Sequence, residues 1–220
     1  MFFKSHKNLI SIFVSSFIVY LLSCFGLFDE LSAVVANTLY HTFGYTNKWS
    51  HTFGPAWFVG MVGNISALGS KELVMIISSF IYFYLKLSKR KKEAKNYLFL
   101  VGTGIVLILA VKTITSNLAE INFNTILTES LSNFPSGHTF IATVMYLAMA
   151  RCLSSSRKEP LVNKYLFLSA VIIIVMVGVS RFMGNGHTVT EVIAGWSLGL
   201  CWFTFAQMFL RIDHKKVFNK

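Results

Sequence analysis

Six apolar runs constrain the fold of this chain more than any other feature of its sequence. Of its 220 residues, 54% are hydrophobic and 13% are charged, whereas a soluble domain has about 25% charged residues. Several runs are shorter than the ~20 residues that span a bilayer alone, so polar flanks are expected to extend them within a bundle. The runs cover residues 9–28, 73–87, 97–111, 139–152, 165–179 and 192–210. The sequence predicts an all-α, polytopic membrane protein with a bundle of about six transmembrane helices, in one domain covering residues 1–220.

The stretch between the first two runs, residues 29–71, is expected not to span the membrane. Its first part, residues 29–45, has apolar residues at helical spacing, which predicts an interfacial helix after the first span. The N-terminus resembles a signal peptide, because Lys4 and Lys7 precede an apolar run. Its removal would upset an even number of spans, so the first run is expected to remain as an uncleaved span.

The net charge of +11 would suit a nucleic-acid partner, but the positions of the basic residues argue against one. Sixteen of the 20 Lys and Arg lie at the N-terminus, in residues 86–95, in residues 151–164, and from residue 211 onward. All four places fall on one side of a six-span bundle, and the positive-inside rule puts that side, with both termini, in the cytoplasm. The charge therefore indicates a topology and contact with the lipid bilayer, with binding to anionic lipid heads as a secondary possibility.

The first candidate motif, Pro135-Ser136-Gly137-His138, lies where a non-cytoplasmic loop is expected to become a helix. A helix N-terminus presents free N–H groups and the positive end of a dipole, and both favour phosphate. Gly137 lets the backbone approach an anion closely, Ser136 adds a hydroxyl, and His138 adds a proton donor that titrates near physiological pH. The alternative is an N-capping serine followed by an incidental histidine.

The second candidate motif is Ser180-Arg181, five residues, His187, three residues and Glu191, at the next boundary on the same side. Arg181 can hold a phosphate with two hydrogen bonds, and His187 can attack phosphorus. Glu191 lies four residues further on, on the same helical face, so it can orient the imidazole. Thr188 and Glu191 also form a capping box that would start the last span, and the two roles are compatible.

These motifs resemble those of the type 2 phosphatidic acid phosphatase superfamily, which is itself similar to the vanadium haloperoxidases. That family has Lys, six residues, Arg-Pro; then Pro-Ser-Gly-His; then Ser-Arg, five residues, His, three residues, Asp. The second motif is complete here, and the third has Glu191 in place of Asp. In the first, Lys112 is present, but Ala119 and Glu120 stand at the Arg-Pro positions. The resemblance covers residues 112–196 by motif and the whole chain by its layout of spans.

The resemblance implies a role for each matching residue. His187 would be the nucleophile that forms a phosphohistidine, Glu191 would orient it, and His138 would protonate the leaving oxygen. The phosphoryl oxygens would be bound by Lys112, Ser136, Gly137 and Arg181. No metal and no cofactor are expected, and the three cysteines do not have the spacing of a zinc site.

The function implied is a metal-independent membrane phosphatase for a lipid phosphate or diphosphate, with its site at the outer face of a bacterial inner membrane. The substrate would be of the undecaprenyl diphosphate, phosphatidylglycerol phosphate, phosphatidate or lipid A type, and the sequence does not choose among them. Two alternatives remain open. One is a lipid phosphotransferase that uses the same site, and the other is a non-catalytic relative that binds lipid phosphate, which the incomplete first motif favours. A transporter is disfavoured, because no paired broken-helix pattern is present.

Overall fold

The computed structural model describes residues 6–44, 54–121, 133–155 and 159–218. Within these ranges the chain forms eight α-helices and no strand, which confirms the predicted all-α membrane fold. The helices are α1 His6–Cys24, α2 Asp29–Phe43, α3 Ala56–Ala67, α4 Lys71–Leu87, α5 Lys91–Ile121, α6 Gly137–Ser154, α7 Pro160–Met183 and α8 Val189–Phe218.

Four of the described helices are long and apolar enough to cross a membrane, namely α1, α5, α7 and α8. A fifth crossing arises if α3 and α4, which meet at a bend of 43°, form one broken span. The break follows from local sequence, because Ser70 caps α4 by accepting a hydrogen bond from Leu73 N. The stretch predicted not to span the membrane, residues 29–71, thus contains two helices, α2 and the apolar α3, which continues into α4.

Helix α6 corresponds to the predicted fourth span and lies at the centre of the bundle. It does not reach the apolarity of the other spans by composition, but 12 of its 18 residues are buried, and it packs against α5, α7 and α8. Two glycines of α8 allow this close packing. A Cβ at Gly195 would lie 2.7 Å from Ser136 O, and one at Gly199 would lie 2.8 Å from Thr143 Cβ. The start of α6 is thereby pressed against the start of α8.

Helix α2 follows the first span, as predicted, and lies against the beginning of α8. Asp29 Oδ1 accepts a hydrogen bond of 2.8 Å from Thr190 Oγ1, and Ser32 Oγ accepts one of 3.0 Å from Thr190 N. Ser32 therefore caps α8 from another helix, because the first N–H groups of a helix have no acceptor within it. No residue of α2 is buried, and these bonds join the helix to the start of α8.

Helix α5 is longer than the third apolar run, residues 97–111. It begins at Lys91 and ends at Ile121, so residues expected in flanking loops are helical. The reason is composition, because Lys, Glu and Ala at its start and Leu and Ala near its end favour a helix although they are not all apolar. Lys112 consequently lies within a helix and not at its end. Residues 122–132 of the predicted loop lie outside the described residues.

Candidate active site

The pair His187 and Glu191 is held by the turn between α7 and α8. Glu191 Oε2 lies 2.5 Å from His187 Nδ1, and both side chains are less than a tenth exposed. A carboxylate only accepts hydrogen bonds, so Nδ1 carries the proton and Nε2 is the ring nitrogen left for chemistry. Glu191 Oε2 also accepts from Thr188 N at 3.3 Å, and Thr188 Oγ1 accepts from Glu191 N at 3.2 Å. Glu191 thus closes a capping box and contacts the histidine at once.

The start of α6 is joined to this pair through the backbone. Ser136 N donates to Glu191 O at 3.1 Å, and the Ser136 hydroxyl pairs with Thr139 Oγ1 at 2.9 Å. Ser136 is fully buried, so its N–H and hydroxyl are both used inside the protein. The N–H groups of Gly137 and His138 begin α6 and have no acceptor within the helix. The donors that a phosphate can reach here are therefore those two N–H groups.

Two basic side chains converge on the same end of the bundle. Lys112 comes from α5, and a Cβ at Gly137 would lie 3.3 Å from its Cε, so the lysine stem passes over Gly137. Arg181 ends α7 and donates from Nη1 to Ser66 Oγ at 2.9 Å. Arg181 Nε is buried and has no partner within the described residues. The arginine is therefore anchored at one nitrogen while other donors remain for an anion.

His138 occupies the first turn of α6, one residue ahead of the predicted span 139–152, and is half-buried. It lies near Arg181, His187 and Lys112. An anion bound among these cations would favour the protonated imidazole of His138, because it would offset their charge.

A cavity of about 420 Å³ lies between α2 and the turn before α8, and its lining includes His187 and Glu191. One wall is the small and apolar face of α2, with Ala33, Ala36 and Leu39. The opposite wall is the polar turn, with Asn185 and His187. A groove that is apolar on one side and polar on the other suits a lipid whose phosphate lies near the turn.

All seven residues predicted from the motifs lie at this end of the bundle, and the roles assigned to them stay predictions. The side chains at the two degraded positions of the first motif, residues 119 and 120, lie outside the described part of the chain. Sequence reasoning missed Ser66 as the partner of Arg181, and Asp29 and Ser32 as partners of Thr190. Nothing in the sequence near Ser32 or Asp29 indicates a partner 158 or 161 residues away.

Within the part of the chain that the structure describes, no group of three or more His, Cys, Asp or Glu residues is placed to hold a metal ion. The cluster instead supplies cations of its own, Lys112 and Arg181, beside the free N–H groups at the start of α6. This donor set suits an anion and does not suit a divalent cation, which prefers oxygen, thiolate or imidazole ligands.

Comparisons with known proteins agree with this geometry. Residues 112–213 match the family model described as the PAP2 superfamily. Phosphatidylglycerophosphatase B of Bacillus subtilis (strain 168) is 29% identical over 160 residues, covering 70% of this chain and 75% of that protein. A PA-phosphatase related-family protein of Dictyostelium discoideum is 32% identical over 101 residues, covering 40% of this chain and 27% of that protein.

A solved structure has the same fold over nearly the whole chain. It is the crystal structure described as the first transmembrane PAP2 type phosphatidylglycerolphosphate phosphatase from Bacillus subtilis. The TM-score is 0.69 at 22% sequence identity, and the match covers 94% of this chain and 96% of that one. The described helices therefore follow the architecture of a multi-pass integral membrane protein.

Proposed function

Because the chain belongs to the PAP2 superfamily and is a lipid phosphate hydrolase, we propose that it acts through a phosphohistidine on His187. The observation that carries this proposal is the 2.5 Å contact between His187 Nδ1 and Glu191 Oε2. It fixes the tautomer that leaves Nε2 as a nucleophile, at a place surrounded by Lys112, Arg181 and the start of α6. Proximity of a nucleophile to preorganised cations is the arrangement that phosphoryl transfer requires.

In the first step, His187 Nε2 attacks phosphorus, a P–N bond forms, and the bond from phosphorus to the leaving oxygen breaks. Glu191 stabilises the positive charge that develops on the imidazole. His138, whose protonated form the bound phosphate favours, transfers a proton to the leaving oxygen. Lys112, Arg181 and the N–H groups of residues 137 and 138 stabilise the charge on the phosphoryl oxygens.

In the second step, water attacks the phosphohistidine and releases inorganic phosphate. His138, which lost its proton in the first step, takes one from the water, so it acts as acid and then as base. The cycle returns both histidines to their starting states. Lys112 and Arg181 supply the positive charge that a metal ion would otherwise provide, so activity is expected to survive EDTA.

The substrate is a lipid phosphate, and phosphatidylglycerol phosphate is the first candidate. The relative that covers most of this chain is named for that activity, and the groove beside α2 is apolar on one wall and polar on the other. The distribution of Lys and Arg supports cytoplasmic termini and a site at the outer face of a bacterial inner membrane. Undecaprenyl diphosphate, phosphatidate and lipid A remain alternatives of the same class.

A lipid phosphotransferase would share the first step and differ only in the second, where a lipid hydroxyl would replace water. Analysis of the products of the purified protein separates the two, because only hydrolysis releases inorganic phosphate in an amount equal to the substrate consumed. A non-catalytic relative would bind lipid phosphate without turnover, and the incomplete first motif is the feature that favours it.

The decisive experiment measures phosphate release from a panel of lipid phosphates, together with trapping of the phosphoenzyme after acid-free quenching. His187→Ala is expected to abolish both turnover and the trapped intermediate. His138→Ala is expected to keep the intermediate when an activated aryl phosphate is used, since a good leaving group needs no acid. His41→Ala is the matched control, because His41 is exposed on α2. A trapped phosphoenzyme in His187→Ala that is absent in His138→Ala would reverse the two roles.

A further inference from the structure

A second cavity, of about 220 Å³, lies at the other end of the bundle. It is enclosed by the start of α5, the end of α6 and the second half of α8. Its lining includes Lys92, Asn96, Leu100, Arg151, Gln207 and Leu210. Lys92 and Lys112 are both on α5, and 20 residues of helix separate them by about 30 Å. The second cavity and the candidate active site therefore lie at opposite faces of the membrane.

The polar wall of this cavity is formed by Arg151 and Gln207. Arg151 Nε donates to Gln207 Oε1 at 3.4 Å, so the glutamine oxygen is used and its amide nitrogen remains as a donor. Gln207 is only 6% exposed, which fixes it in the packed interior beside the cavity. Gln207 is thus bound through Nε of Arg151 and not through its terminal guanidinium nitrogens. Arg151 and Gln207 thus present hydrogen-bond donors to the cavity, and an anion is a ligand that can accept from both.

The negative charge of Glu93, the one acidic residue of the lining, is already balanced by Arg90. Its carboxylate lies 3.5 Å from Arg90 Nη2, and the same nitrogen donates to Ser155 Oγ at 2.6 Å. Arg90 and Glu93 together therefore carry no net charge. The remaining charges of the lining, Lys92 and Arg151, are positive. Electrostatics therefore favours an anion in the cavity over a neutral ligand.

The floor of the cavity is apolar. Leu100 is fully buried, and Leu210 and Cys152 lie beside it. A fully hydrated ion would gain nothing from these side chains, whereas a ligand with a phosphate and a hydrocarbon part would contact both walls. Arginine is well suited to phosphate, because it offers two parallel N–H donors. Basic pockets between helices at a membrane face bind anionic lipid heads on the same grounds.

We propose that this cavity binds the phosphate of an anionic lipid headgroup, in the leaflet opposite to the candidate active site. Arg151 and Gln207 hold the phosphate, Lys92 adds charge at the rim, and the glycerol end of the lipid contacts Leu100 and Leu210. The active-site hydrogen bonds join helices at the other end of the bundle. Bound lipid would link α5, α6 and α8 at this end. The proposal does not depend on the catalytic mechanism.

The test uses the full chain purified in non-ionic detergent. Phosphatidylglycerol, phosphatidylcholine with the same acyl chains, and inorganic phosphate are titrated separately, and the melting temperature and the lipid retained in native mass spectrometry are measured. Arg151→Gln is compared with Lys91→Gln, whose lysine is exposed on the same end of the bundle and does not line the cavity. Arg181→Gln removes an anion ligand of the candidate active site, so binding that it retains belongs elsewhere.

Phosphatidylglycerol is expected to raise the melting temperature of the wild type, Lys91→Gln and Arg181→Gln alike, since a ligand that binds only the folded state stabilises it. Arg151→Gln is expected to need about tenfold more lipid, the effect of losing a charge-assisted hydrogen bond. If Arg151→Gln does not fold, Lys92→Gln repeats the comparison at an exposed lysine. Equal losses in the Lys91 and Arg151 variants, or a full Arg151-dependent shift with inorganic phosphate or phosphatidylcholine, would overturn the proposal.

Discussion

Gly186→Ala tests whether the position of Arg181 matters to catalysis. Gly186 lies in the turn before His187, and a Cβ added there would be 2.7 Å from Arg181 Nη2. Ordinary van der Waals contact begins at 3.4 Å, so the guanidinium must move by about 0.7 Å. The atom that gives way is the far end of a flexible side chain, and Gly186 does not have a positive φ. The backbone can therefore stay where it is.

The expected effect is a loss of activity without a loss of stability. A displacement near 1 Å of a positioned group costs on the order of 10²-fold in rate, so a shift of about 0.7 Å is expected to lower kcat/KM by about 10- to 100-fold. Alanine at a φ it can adopt restricts the unfolded chain and stabilises by about 0.4–1 kcal/mol. The melting temperature of the variant is therefore expected to be unchanged or slightly higher.

The assay is phosphate release from phosphatidylglycerol phosphate and from a soluble aryl phosphate, with the melting temperature measured on the same preparation. Gly184→Ala is the matched control in the same turn, since its Cβ would lie closest to Ser180 O, at 3.2 Å, and near no atom of Arg181. It is expected to keep activity within a few-fold of the wild type. A folded Gly186→Ala protein with wild-type kcat/KM on both substrates would refute the role given to Arg181.

Three further predictions concern the same end of the bundle. Glu191→Gln keeps an acceptor for Thr188 N but loses the charge beside His187, so turnover is expected to fall on the order of 10²-fold or more in a folded protein. Glu191→Asp is expected to recover part of this turnover. Unchanged turnover in Glu191→Gln would mean that Glu191 acts only as a helix cap. Ser32→Ala removes the acceptor of Thr190 N and is expected to lower stability by about 1 kcal/mol, measured by thermal unfolding against Ser15→Ala, whose hydroxyl bonds only within α1. An anion bound beside Lys112 and Arg181 favours the protonated form of His138, so affinity for tungstate is expected to increase as the pH falls from 8 to 6. An equally steep pH dependence in His138→Asn would contradict this.

The helices and the contact between His187 and Glu191 are properties of short stretches of sequence. Apolar runs predict helices in a membrane, because every backbone polar group must be paired within the segment. The spacing of four residues between His187 and Glu191 places both on one helical face, and the capping box with Thr188 uses the same local geometry. Both contacts of Glu191 are present in the structure, and one oxygen makes both of them.

The apolar runs predict the ends of the helices less well, because a helix does not end where its residues cease to be apolar. Helix α5 continues through Lys112 to Ile121 because polar residues with good helix propensity follow the apolar run. Helix α3 lies within the predicted non-spanning stretch, residues 29–71, although it is apolar, and the cap at Ser70 separates it from α4.

The sequence by itself determined the all-α membrane class, the pairing of His187 with Glu191, and the place of His138 at the start of a helix. Only the tertiary structure decided that Lys112 lies over Gly137, that Arg181 is anchored on Ser66, and that α2 caps α8. The first set depends on residues within about one helical turn of each other, where the 3.6-residue period fixes which side chains meet. The second set joins residues that are distant in sequence, and their meeting depends on side-chain volume along whole helices, as the close contact of Gly195 with the start of α6 demonstrates.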